Sequence, residues 1–280
     1  MWSPTTFRRY VRTIESSSRP AYIDTDAGPA YLKAANNPEG PHILACDWFG
    51  TRLAQKFHLP TLEVAILPLT SLDEIPIGKG IIASPEPAFV SRAEQGATMG
   101  GSGTLEYVEN LDDIPRIVVF DTWVRNCDRY CPTDTPNGKP RINVDNVFLS
   151  VEGATQGKFI LKPIDHGHIF SCGKQLTPKL SNISNVQERK LYGLFPEFRK
   201  YVTIESLHAI VDELADIRPT LWEDLLHDLP DAWHITDEIR AAINSFLIDR
   251  AQFLSNNLRE IAYNELHPGK IDFDANQTQP

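Results

Sequence analysis

Five residues have types and spacing that could do chemistry together: Lys33, Asp47, Asp128, Asn146 and Asp165. Lys33 closes the run Tyr31-Leu32-Lys33, and a lysine on an inner strand can reach an anion while its stem packs on the sheet. Taken alone it reads as an exposed strand lysine. Asp47, on the following helical stretch, could orient Lys33 by ion pairing; taken alone it reads as part of a solvated helix face. Glu63 is a weaker partner because it falls in the next strand. Asp128 stands in the polar loop Arg125-Asn126-Cys127-Asp128-Arg129, Asn146 opens a strand, and Asp165 ends the next one in Asp165-His166-Gly167-His168. A hairpin with oxygen ligands at both mouths suits Mg²⁺, which takes one or two carboxylates or amides and completes its shell with phosphate oxygens. A cation, two metal-holding oxygens and a carboxylate beside an attacking hydroxyl are what phosphoryl transfer from ATP requires. Singly, each residue reads as a loop carboxylate or a turn amide. The ordered set is much harder to obtain by accident.

The elements that must position this set follow from hydrophobic period. Strands are predicted at Tyr10–Ile14, Ala21–Thr25 and Ala30–Ala34, separated by Glu15–Pro20 and by the turn Asp26-Ala27-Gly28-Pro29, which reads as an antiparallel meander. Ile43, Leu44, Trp48, Leu53, Ala54 and Phe57 follow a helical stripe from His42 to His58, stopped at Leu59-Pro60 because the residue before proline disfavours the helical region. Leu62–Leu67 is a further strand. Residues 68–115, with five prolines and the run Gly100-Gly101-Ser102-Gly103, read as an inter-lobe connection with a mobile loop. An apolar helix begins at Ile117 and ends before Arg125. A Pro-, Thr- and Gly-containing loop spans Pro132 to Arg141, and strands follow at Asn146–Val151 and Lys158–Ile164. Residues 187–262 are mostly amphipathic helix, most clearly along Ile239, Ala242, Ile243, Phe246, Leu247, Arg250, Phe253, Leu254 and Leu258.

The chain has 280 residues, 41% apolar and 23% charged, with net charge −10. That is enough to bury a sizeable core, and it argues against a general binder of nucleic acid or anionic membrane, which needs a basic face. No apolar run approaches the length needed to cross a bilayer, and the N-terminus lacks a signal-peptide core, so a cytoplasmic location is expected. Cys46, Cys127, Cys131 and Cys172 are too few for a disulfide framework and read as reduced packing residues. The spacing of Cys127 and Cys131, even with His166 and His168, is only loosely finger-like, and zinc is not expected.

The stretch Phe120-Asp121-Thr122-Trp123-Val124-Arg125-Asn126-Cys127-Asp128-Arg129 resembles the catalytic-loop segment of HipA-like kinases. Ile164-Asp165-His166-Gly167 resembles that family's metal-binding aspartate motif, and the equivalent motif of phosphatidylinositol kinases. The turn Ser16-Ser17-Ser18-Arg19-Pro20 followed by Tyr31-Leu32-Lys33 resembles the family's phosphate loop and strand lysine, and the segment Asp47–Ile66 is similar as well. The resemblance covers residues 10–67 and 117–170 in pieces. It implies a bilobal protein-kinase-like fold of α+β class: an N-lobe of antiparallel sheet plus helix over residues 1–90, a mostly helical C-lobe with a metal-site hairpin over 91–265, and a polar tail over 266–280. It also implies use of ATP and Mg²⁺, with Asp128 as catalytic base and Asn146 and Asp165 on the metal. Lys33 paired with Asp47 would contact the phosphates, and Ser17 and Ser18 would line the phosphate turn. The chain departs from the family in the loop Tyr130 to Asp145, which separates Asp128 from its asparagine, so either Asn143 or Asn146 could fill that role. Tyr130 also stands where a histidine or threonine is more usual.

The function expected is transfer of the ATP γ-phosphate to a hydroxyl, of a protein Ser/Thr or of the chain itself. The alternatives are a small-molecule or lipid-headgroup kinase, a nucleotide-binding pseudokinase that acts through a partner, and an α+β interaction protein in which Lys33, Asp128 and Asp165 lie far apart.

Overall fold

The computed structural model describes residues 2–100, 102–133 and 138–267. Gly101, part of the Pro132–Arg141 loop and all of the tail beyond His267 lie outside the described residues. The N-terminal meander is β1 (Phe7–Thr13), β2 (Ala21–Thr25) and β3 (Gly28–Lys33), followed by α1 (His42–Lys56), β4 (Val64–Leu67) and β5 (Ala88–Arg92). These strands make one antiparallel sheet in the order β1-β2-β3-β5-β4. Alternation decides its two faces. Ala30, Leu32, Ala88 and Val90 point into a small apolar core with Ile23, Leu67, Ile75 and Ile77, while Tyr31, Lys33, Phe89 and Ser91 line the opposite face.

The expectation of an unpatterned connection over 68–115 is corrected here, because β5 pairs with both β3 and β4. Its residues Ala88-Phe89-Val90 are buried on both faces, so they carry no polar alternation to read. The chain continues through β6 (Gly96–Thr98), then α2 (Ile114–Val124), β7 (Tyr130–Cys131), β8 (Arg141–Ile142), β9 (Val147–Ser150) and β10 (Ile160–Pro163). The strands β10-β9-β6 form a second antiparallel sheet, and β7 and β8 pair as a two-stranded ribbon.

Helices complete the C-terminal part: α3 (Ile183–Val186), α4 (Ile204–Ala215), α5 (Glu223–His227) and α6 (Asp237–Leu266). Thr203 and Ser206 form a reciprocal capping box on α4, and Thr236 caps α6, satisfying N–H groups that a helix start leaves unpaired. Every residue of the α6 stripe named from sequence is buried except Phe253, which is half-buried. Helix α1 leaves the N-terminal sheet to join the large core: Phe57 packs against Phe120 and Trp123, and Phe49 against Phe170. That packing sets the distance between the two parts of the chain. Among the described residues, no helix is long and apolar enough to cross a membrane.

Candidate active site

A cleft of about 380 Å³ opens between the two sheets, lined by Tyr31, Lys33, Asp47, Phe89, Glu94 and Asp165 among others. Lys33 is buried, and its Nζ donates to Asp47 Oδ2 at 2.6 Å and to Asp165 Oδ1 at 3.0 Å. Three elements therefore meet on one ammonium: the last residue of β3, the middle of α1 and the turn after β10. Asp47 is 1% exposed, whereas the Asp165 side chain is 40% exposed to the cleft. Gly50 and Gly167 permit this approach. A Cβ on Gly50 would lie 2.6 Å from His166 Cβ, and one on Gly167 would lie 2.9 Å from Ile43 Cγ2.

The second half of the site is built on the end of α2. Arg125 takes a left-handed conformation, φ 55°, which turns the chain into Asn126-Cys127-Asp128. Asn146 Nδ2 donates to Asp128 Oδ2 at 2.9 Å, and Asn143 Nδ2 reaches the same oxygen at 3.3 Å. Asn146 is buried at the end of a short turn directly before β9, and Ile164 N–H donates to its carbonyl. Asp128 is close enough to Asp165 for their charges to repel. Ser18 is buried and Ser17 exposed in the turn between β1 and β2. That turn is closed by Ile14 N–H donating to Pro20 O at 2.8 Å, and both of these end residues line the cleft. Glu63, the weaker alternative partner, instead accepts from the Trp2 N–H and from Arg92, away from Lys33.

The charges follow from burial set against pairing. Burial works against the Lys33 ammonium, but Asp165 and Asp47 outweigh it and hold the pKa above the ordinary lysine range. Burial pushes Asp47 up to about 6 despite Lys33, while Asp165 stays below the ordinary carboxylate range because Lys33 outweighs its burial. Burial also opposes ionisation of Asp128, yet His168 and the Asn146 amide keep it well below that range. His168 is raised to about 10 by Asp128 and by Glu39. Its Nε2 lies 3.2 Å from Glu39 Oε1 and its Nδ1 3.6 Å from Asp128 Oδ1; only the first is a hydrogen-bond distance. Glu39 in turn is held below its ordinary range, chiefly by His168 and to a smaller degree by Ser17.

The family model for HipA-like kinases matches residues 10–266. The chain belongs to the HipA-like kinase family. Among solved structures, the Helicobacter pylori proinflammatory kinase CtkA is similar over 90% of this chain and 92% of its own, with a TM-score of 0.58 at 10% identity. At that identity the likeness is one of fold. No curated protein matches the chain.

In this HipA-like kinase the supports of the site include residues inside the quoted motifs, Asp121, Asn126, Arg129 and His166, whose contacts only the tertiary structure gives. Arg129 is fully buried and ion-paired with buried Asp121. Its other nitrogens donate to the carbonyls of Asn146 at 3.1 Å and Ile164 at 2.8 Å, so one guanidinium ties the Asp128 loop to both mouths of the hairpin. Asn126 supports the same carboxylate at 3.2 Å. Glu94, between β5 and β6, pairs with Lys162 of β10 and accepts from Ser150 Oγ, both at 2.6 Å. His166 is buried and kept neutral by that burial, with Thr51 Oγ1 at 3.2 Å from its Nδ1. Among the described residues no group of three or more His, Cys, Asp or Glu could hold a metal.

The cysteines depart from expectation. Cys46 and Cys131 are not disulfide-bonded, but Cys127 and Cys172 form a disulfide, with Cα atoms 5.5 Å apart. The sequence separation of 45 residues gave no hint of the pairing, which depends on the Asp165–Gly173 segment folding back over the Asp128 loop.

Proposed function

We propose that this HipA-like kinase transfers the γ-phosphoryl group of ATP, with Mg²⁺, to a hydroxyl of a protein serine or threonine or of its own chain. The observation that carries the reading is Lys33 Nζ, held at 2.6 Å by a buried aspartate and at 3.0 Å by a cleft-facing one. Such an ammonium is preorganised for phosphate oxygens and loses no conformational freedom on binding them. Asp47 is too buried to meet the nucleotide and serves to orient Lys33. Asp165 and Asn146 supply hard oxygen donors suited to magnesium; the Asn146 amide nitrogen is committed to Asp128, which leaves its oxygen for the ion. Asn146 is preferred to Asn143 because it is buried and its carbonyl is held by Arg129. When bound, magnesium would neutralise charge on the phosphates. Asp128, ionised and fixed by Asn146, orients the attacking hydroxyl and accepts its proton. The turn at Ser17 and Ser18 would cover the phosphates through its backbone N–H groups. The lobe boundary expected at residue 90 belongs in this reading at residues 93–95, since β5 is part of the N-terminal sheet.

The test is ATP titration by calorimetry with and without Mg²⁺, alongside phosphotransfer assays, on wild type, Asp165→Asn and Asp128→Ala. Metal-dependent binding that weakens in Asp165→Asn is expected. Asp128→Ala should keep binding while losing roughly 10²- to 10⁴-fold in transfer, the usual share of a general base. Full transfer by Asp128→Ala would remove Asp128 from the chemistry. Binding without transfer by wild type toward itself and protein acceptors would favour the pseudokinase reading.

A further inference from the structure

We propose that Cys127 and Cys172 are a reversible thiol–disulfide modification site that locks the candidate active site in its assembled form; this rests on the phosphotransfer reading above. Cys127 immediately precedes Asp128, and Cys172 lies in the segment that follows the Asp165 turn. In that segment Phe170, Cys172 and Gly173 all have left-handed backbone, φ 66°, 57° and 78°. Two of these are not glycine, a conformation that L side chains keep only when their surroundings impose it. Gly173 presses on His168: a Cβ there would stand 2.9 Å from His168 Cε1. His168 faces Asp128 on one side and Glu39 on the other. The bond thus joins the loop that carries Asp128 to the backbone that backs the imidazole beside it. Without the bond, the fold retains Phe170 N–H on Val124 O and Arg125 on Phe170 O, but Cys172 and Gly173 lose the link that holds them against the Asp128 loop.

The two sulfurs differ in environment. Cys172 is half-buried and lines a groove of about 260 Å³ together with Lys174 and Lys179, so small oxidants reach it. Cys127 is buried, with Arg141 Nη2 3.0 Å from its sulfur, a cation that favours thiolate. With hydrogen peroxide as oxidant, the Cys172 thiolate attacks the O–O bond. That bond breaks, an S–O bond forms, and one water leaves after protonation. The Cys127 thiolate then attacks the sulfenic sulfur; the S–S bond forms, the S–O bond breaks, and hydroxide leaves as a second water. Two electrons pass from the thiols to peroxide, and a dithiol reverses the change through a mixed disulfide. Cys46 does not compete, because burial pushes its thiol far above the ordinary range.

The experiment compares full-length protein reduced with dithiothreitol and the same protein oxidised with hydrogen peroxide, in wild type, Cys172→Ser and Cys131→Ser. Peptide mapping after alkylation should find the Cys127–Cys172 linkage only in oxidised wild type and oxidised Cys131→Ser. Hydrogen exchange over residues 165–176 should speed on reduction, and phosphotransfer should fall by roughly ten- to a hundredfold, the scale of a displacement of about 1 Å in a catalytic group. Cys172→Ser should behave as reduced protein under both conditions. Three results overturn the proposal: no linked peptide, linkage without a change in exchange, or a response that disappears in Cys131→Ser. An intact linkage and exchange response in a protein with no phosphotransfer in either state supports the lock and refutes the phosphotransfer reading instead.

Discussion

Replacing Gly167 with alanine tests how tightly the site depends on the approach of α1 to the Asp165 turn. Gly167 is not among the residues with left-handed backbone, so the substitution acts through space alone. Its new Cβ would stand 2.9 Å from Ile43 Cγ2, 3.3 Å from Asp47 Oδ2 and 3.4 Å from Asp165 Oδ1. Carbon atoms rest about 3.5–4.0 Å apart, so Ile43 must retreat by most of an ångström while the two carboxylates shift by a few tenths. Overpacking of this kind costs about 1–3 kcal/mol, a fall in Tm of roughly 2–5 °C for a chain of this size. Displacement of the two oxygens that hold Lys33 should weaken Mg-ATP binding or slow phosphotransfer by about tenfold. Thermal unfolding and calorimetry read the two effects separately. Adding Ile43→Ala removes the closest contact, so the double-mutant cycle should show a favourable coupling of about 1 kcal/mol, while the loss of binding persists because the carboxylate contacts remain. Gly103→Ala, whose Cβ meets nothing within 4 Å, is the neutral control. A Gly167→Ala protein as stable and as active as wild type, or a strictly additive cycle, would refute the reasoning.

Other substitutions probe the charges. Arg129→Met leaves buried Asp121 without its counter-ion and should cost about 3–5 kcal/mol in urea unfolding, much of which Asp121→Asn in the same chain should restore. His168 has its pKa raised from 6.5 to about 10, at most about 5 kcal/mol at 1.36 kcal/mol per pH unit. Because only its Glu39 contact is a hydrogen bond, about half of that is expected. A raised histidine stabilises fully below its unfolded pKa and loses the effect as pH climbs through the folded one. His168→Gln should therefore be less stable than wild type by about 2–3 kcal/mol at pH 6, and the gap should close as pH rises from about 6.5 toward 10; a gap that does not narrow sinks the assignment. Lys33→Met should abolish transfer and remove the partner of Asp47, whose carboxyl already sits near 6. An acid with a raised folded pKa holds a proton that the unfolded chain has released, so this variant should lose stability from pH 5 to pH 8, measured by unfolding at each pH.

The elements that carry the site were legible because they obey local rules. β2 was placed residue for residue and α1 to within two residues of its end, since alternation in β2 and a one-sided stripe stopped by Leu59-Pro60 in α1 are short-range patterns. The order of Lys33, Asp47, Asp128, Asn146 and Asp165 along the chain was likewise visible. β5 was missed because burial on both faces erased its alternation. The contacts among those five residues, and the identities of Arg129, Glu39, His168 and Glu94 as their supports, were decided only by tertiary structure. Lys33 and Asp165 are 132 residues apart, Glu39 and His168 are 129 apart, and no local energy favours either pair. They meet because α1 buries Phe49 and Phe57 in the large core while β3 carries Lys33 on the cleft side of the sheet. In this chain, local physics determined which groups were available, and the packing of α1 between the N-terminal sheet and the large core decided which of them meet.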